Sequence, residues 1–157
     1  MICPCGSMKN YEECCGPFLC GSSKPSTPKA LMRSRYTAYT QSNIDYIART
    51  MKAPANNNFN VEEAKAWAKK LTWESLTILD SGSHLDYGFV EFIASYLENG
   101  QLQSIHEKSE FRREQGVWFY TQGKQVRDTK INTKTRSQGR NELCACGSNK
   151  KYKKCCF

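Results

Sequence analysis

Eight of the nine cysteines fall into two sets of four with one spacing. Cys3, Cys5, Cys14 and Cys15 recur as Cys144, Cys146, Cys155 and Cys156, each set reading C-x-C-x8-C-C. Four thiolates at such spacing form a closed tetrahedral set for a borderline-soft ion, and without redox context zinc is favoured over iron. Paired C-x-C and C-C clusters suit metal better than disulfides, which implies a reducing, cytoplasmic setting. Gly6 or Gly147 lets the chain turn beneath the metal, and Ser7 or Ser148 accepts from nearby backbone N–H groups and starts a helical turn. Tyr11 or Tyr152 gives a unit too small for a core one large ring to pack. Two structural Zn2+ ions are therefore expected, each module folding only when loaded. An exchangeable storage or sensing site is the alternative that the same ligands allow. Cys20 is left over and reads as a small residue in a turn rather than a spare ligand.

Elsewhere the charge is uneven. The chain of 157 residues carries a net charge of +8. Residues 1–123 hold 13 Lys/Arg and 13 Asp/Glu, so the whole excess sits in residues 124–157. There, Lys150, Lys151, Lys153 and Lys154 surround the second cysteine set. With about −2 from each zinc–tetrathiolate centre, the C-terminal segment stays near +6, a surface for polyanions or acidic proteins. No aromatic stripe alternates with these cations, so base-specific RNA reading is not expected. No apolar run reaches the roughly eighteen residues of a membrane span, and no basic-then-apolar leader opens the chain.

Residues 1–20 form the first module and residues 21–28 a linker. Thr27 and Pro28 are start signals for a helix over 28–41 bearing Leu31, Met32, Tyr36 and Tyr39 at helical spacing. A second helix begins near Asn43, and Asn60-Val61-Glu62-Glu63 opens a third through Leu71. Strands follow at Trp73–Leu79, Gly88–Leu97, Gln101–Arg113 and Val117–Gln122, with turns at Asn99-Gly100 and Gln115-Gly116. Helices first and an antiparallel meander second make an α+β domain over 28–122. A basic linker over 123–140 leads to the second module at 141–157.

These residues carry a resemblance. C-x-C-G-S-x-x-x-Y-x-x-C-C is similar to the SEC-C metal-binding motif at the C-terminus of the SecA translocation ATPase. The frame Cys14-Cys15-Gly16-Pro17, Ala30–Tyr39, His106–Phe111 and Trp118-Phe119-Tyr120 resembles the bacterial YchJ family nearly end to end. The resemblance implies a nuclear transport factor 2-like (cystatin-like) domain, with a curved sheet wrapped on helices. In SecA-type proteins the motif contacts the acidic chaperone SecB and the ribosome. That fits the second copy; the first, with only Lys9 beside Glu12 and Glu13, is expected to dock on the central domain.

Alternation along 101–113 puts Ile105, Glu107, Ser109 and Phe111 on one face and His106 on the other. Folds of this type often hold a pocket, for which Tyr39, Trp73, Glu107, Ser109, Trp118 and Tyr120 are the candidates. Arg33 and Arg35 point about 200° apart on a helix; at least one is expected to meet a carboxylate. No acid–base pair or nucleophile stands out. The leading expectation is an interaction protein whose basic module docks on the ribosome, RNA or a SecB-like chaperone. A small-molecule-binding protein or enzyme using the central pocket is the alternative.

Overall fold

Residues 1–126 are described by the structure, a computed structural model. After a short turn at Tyr11–Glu13 come the helices α1 (Gly16–Leu19), α2 (Pro28–Thr40), α3 (Ile44–Arg49) and α4 (Val61–Lys70), with a further turn at Ala55–Asn58 before α4. The strands β1 (Leu71–His84), β2 (Tyr87–Glu98), β3 (Gln101–Glu114) and β4 (Val117–Gln125) follow.

The three longer helices start where a side chain takes up an orphan backbone N–H. Thr27 Oγ1 accepts from the Ala30 amide at 3.0 Å, Asn43 Oδ1 from Tyr46 at 3.2 Å and Asn60 Oδ1 from Glu63 at 3.0 Å. Each such cap contributes about 1 kcal/mol. α4 stops one residue short of the expected Leu71, which already belongs to β1.

The four strands form an antiparallel meander in the order β1-β2-β3-β4. Two tips are the expected ones: Asn99 and Gly100 (φ 53° and 77°) and Gln115 and Gly116 (φ 50° and 78°) lie in the left-handed region. That is what two-residue hairpin loops demand. Register shifts at Trp73/Ser75 and Ile78/Asp80 in β1, and opposite Glu110/Phe111, where Thr121 of β4 is the extra residue, mark irregularities that bend the sheet. Two strands outrun expectation. β1 continues to His84 instead of Leu79, and β4 to Gln125 instead of Gln122, so the first residues of the anticipated linker are strand.

Leu31, Tyr36 and Ala38 of α2 and Ile44, Tyr46 and Ile47 of α3 pack against Val90, Phe92, Ala94, Phe111 and Trp118 of the sheet. Cys3, Cys5, Cys15 and Leu19 belong to that same buried cluster. The first module is therefore part of the core of the helix–sheet domain. Among the described residues no helix is long and apolar enough to cross a membrane.

Candidate metal centre and central cleft

The first cysteine set is built by two reversals of the chain. The Cys3 amide donates to Lys9 O at 2.8 Å and the Tyr11 amide to Met1 O at 2.9 Å. Between them Gly6 (φ 81°) and Met8 (φ 66°) turn the backbone. The 11–13 turn and α1 then bring Cys14 and Cys15 across. Tyr11 supplies the expected ring, against which Gly16 fits so closely that a methyl there would meet it. Ser7 starts no helix. Its hydroxyl accepts from the Lys9 amide and lies 3.1 Å from Cys14 Sγ, steadying the sulfur set instead.

All four sulfurs, those of Cys3, Cys5, Cys14 and Cys15, lie within 4.8 Å of one another, with separations of 3.6 Å for Cys5–Cys14 and 3.8 Å for Cys14–Cys15. A tetrahedron with zinc–sulfur bonds of about 2.3 Å has edges of about 3.8 Å. The donor set and its spacing thus fit a metal ion. A hydrogen bond from the Cys15 thiol, helped by Ser7, holds Cys5 down at about 4 against its burial. The same bond, with burial, pushes Cys15 up, and burial pushes Cys14 up. One thiolate is thus stabilised by its neighbours, and a bound cation would supply what Cys14 and Cys15 need to ionise.

Several contacts tie this set to the domain. Arg33 donates to Cys5 O at 2.5 Å, Cys3 Sγ lies 3.7 Å from Thr37 Oγ1, and Arg49 donates to Leu19 O at 2.9 Å. A side chain at Gly6 would press on Leu76 O of β1. Cys20 sits in an exposed turn, its thiol directed to Pro17 O and Ser22 Oγ.

On the other side of α2 lies a cleft of about 490 Å3 between the helices and the sheet. Tyr39, Trp73, Glu107, Ser109 and Tyr120 all line it; Trp118 does not. Trp118 is buried farther along the sheet because the linker crosses over it, and its indole donates to Ser26 O at 3.2 Å. Glu107 Oε1 accepts from Ser109 at 2.8 Å and from Tyr120 at 3.2 Å. Burial pushes the hydroxyls of Tyr39 and Tyr120 up, so both stay protonated donors.

Arg35, only 5% exposed, also lines the cleft. It donates to Ile47 O at 2.9 Å and Thr50 Oγ1 at 2.7 Å, and lies 4.5 Å from the centre of the Tyr120 ring. Neither Arg33 nor Arg35 forms an ion pair among the described residues; carbonyl and hydroxyl oxygens serve them instead, contrary to the sequence expectation. His106 faces away from the cleft towards Glu91, its Nε2 3.2 Å from Oε2. Arg35, Trp67 and Gly123 line the cleft but were not among the residues that the sequence assigned to a pocket. For Arg35 the signal was available, since it stands one helical turn before Tyr39.

The second cysteine set (Cys144, Cys146, Cys155 and Cys156) and Lys150, Lys151, Lys153 and Lys154 lie outside the described residues.

The middle, NTF2-like domain of YchJ matches residues 27–123, and the SEC-C motif matches residues 2–17 and 140–157. The chain belongs to the YchJ family. A UPF0225 protein of Geobacter sulfurreducens is 42% identical over 159 residues, spanning 99% of this chain and 97% of that one. A UPF0225 protein of Yersinia pestis (strain Pestoides F) is 41% identical over the same shares. The solution structure of a SEC-C motif containing protein from Rhodopseudomonas palustris is 39% identical with a TM-score of 0.76, covering 80% of this chain and 99% of that one. A SEC-C motif containing protein from Psychrobacter arcticus, 24% identical with a TM-score of 0.70 over 99% of this chain and 95% of that one, shares the fold. The YchJ frame thus joins a helix-on-sheet domain to a sulfur set able to hold a metal ion.

Proposed function

We propose that this YchJ-family chain is a zinc-binding interaction protein whose basic C-terminal SEC-C copy docks on a polyanion, the ribosome foremost. The observation that carries this reading is the fate of the first copy. Cys3, Cys5 and Cys15 are each no more than 2% exposed, and the module is fastened by Arg33, Thr37 and Arg49. A zinc ion there would serve the fold of the domain. The docking role falls to the second copy, where the chain concentrates its excess positive charge. Its Lys and Arg side chains would provide sequence-independent affinity for phosphates, and a second zinc would hold the presenting surface in shape.

Ribosome co-sedimentation of the metal-loaded chain, beside a version ending at Gly139, tests this across a salt series. Binding that weakens steeply with salt and vanishes on truncation is the expected result. Binding indifferent to salt would remove the polyanion from the reading. No binding by either form at low salt would transfer the role to an acidic protein of the SecB kind, to be tried in the same assay.

A further inference from the structure

We infer that the central cleft binds a flat, uncharged aromatic molecule with an N–H or O–H donor at one edge and a carbonyl-type acceptor at another. This is independent of the docking role. A cleft of about 490 Å3 with mostly apolar walls, rich in aromatic rings, has the size and lining of a small-molecule site. Trp67, 37% exposed, stands in the wall, with Tyr39 and Trp73 behind it at ring distances of 6.0 and 5.8 Å.

Two polar groups set the chemistry. Trp73 Nε1 is the single buried side-chain nitrogen or oxygen without a hydrogen-bond partner among the described residues. Buried donors are nearly always paired, and a ligand acceptor would complete this one. Glu107 has its Oε1 taken by Ser109 and Tyr120, while no described residue engages Oε2. Gly123 makes the room, because a side chain there would land on this carboxylate. A group that only accepts calls for a ligand donor.

Charge decides against an ion. The cleft contains one cation, Arg35, and one anion, Glu107, and both contact Tyr120. A cationic ligand meets Arg35 and an anionic one meets Glu107, so neither gains net attraction. Among the described residues, the larger hollow of about 660 Å3 at the far end of the sheet holds no buried polar side-chain atom left without a partner. Its cations already rest on its own rings, Lys108 at 4.7 Å from Phe89 and Arg112 at 5.4 Å from Tyr87.

The test follows the three indole N–H resonances, those of Trp67, Trp73 and Trp118, in the metal-loaded full chain. The probes are 4-hydroxybenzamide and 3-hydroxybenzamide, which hold a phenol donor and an amide acceptor at two separations. Ligands of some ten heavy atoms should bind with a dissociation constant of about 1 mM. The Trp73 resonance should move with at least one probe while that of Trp118 stays in place. Glu107→Gln, which brings a donor to the acceptor edge, should weaken binding about tenfold, as should exchanging the probe for benzoate or benzyltrimethylammonium. An unmoved Trp118 resonance in the variant reports an intact fold, and Trp67→Ala, altering a partly exposed wall, should weaken binding independently. The inference is overturned if neither probe moves Trp73 at about 10 mM, if Glu107→Gln and Trp67→Ala both bind as the parent does, or if a charged comparator binds as tightly.

Discussion

The sulfur set and the cleft flank one helix, α2, and differ in how far their valences are closed. Around the sulfurs, the Cys5 carbonyl is taken by Arg33, the Cys14 thiol by Ser7 and the Cys3 thiol by Thr37. The four sulfurs converge on one another rather than on solvent. In the cleft an indole N–H and a carboxylate oxygen are left over in a wall of rings. The same packing has thus produced a closed site, suited to holding the fold, and an open one, suited to receiving something else. Burial does not separate them, since both are largely buried. Satisfaction of polar groups does.

The largest effect should come from the closed site. Cys15→Ser is expected to destabilise all of residues 1–126 by about 3 kcal/mol or more, because a metal site in the core contributes folding energy directly. Thermal melts followed by circular dichroism, with and without a strong chelator, check this. A variant that melts like the parent would make the sulfur set an appendage. Next comes Arg35→Met, which strips Ile47 O and Thr50 Oγ1 of their donor in a dry environment. A loss of about 3 kcal/mol in urea unfolding is expected, and under 1 kcal/mol would mean that water replaces the guanidinium. Thr27→Ala removes the cap of the helix the two sites share and should cost about 1 kcal/mol by the same measurement. Trp67→Ala should change stability least, by about 1 kcal/mol or less given its exposure. A larger loss would make the wall of the cleft part of the core.

Much of the frame was legible because it is written in local chemistry. Thr27, Asn43 and Asn60 are side chains that cap, and the Asn99-Gly100 and Gln115-Gly116 tips contain residues suited to positive φ. The third tip was not legible. Leu85 adopts φ 53° without a glycine beside it, and Ser81-Gly82-Ser83 reads as a loop until its pairing with Gly88, Phe89 and Val90 makes it strand. Gly123 misled in the same way, looking like the start of a linker when its missing side chain is the space that Glu107 fills. For the cleft, strand alternation put Glu107 and Ser109 on the inner face. Trp118 shares the face of Tyr120 and was misplaced because only the tertiary course of the linker decides which part of that face is covered. The sulfur set was visible from spacing, and its docking on the central domain was expected from its lack of excess basic charge; that Cys3, Cys5 and Cys15 enter the core itself was not legible, since short pieces such as 11–13 and 16–19 carry no periodicity to read.

Arg33 and Arg35 lie two residues apart on α2, one holding the Cys5 carbonyl and the other standing in the wall of the cleft. Adding or deleting a single residue between Arg33 and Thr37 would rotate one half of the helix against the other by about 100°, so that any such change would strike both sites together. The hairpin tips at Asn99-Gly100 and Gln115-Gly116 are under no such constraint. Length variation in descendants of this chain, natural or engineered, should accumulate at those tips and leave the middle of α2 fixed.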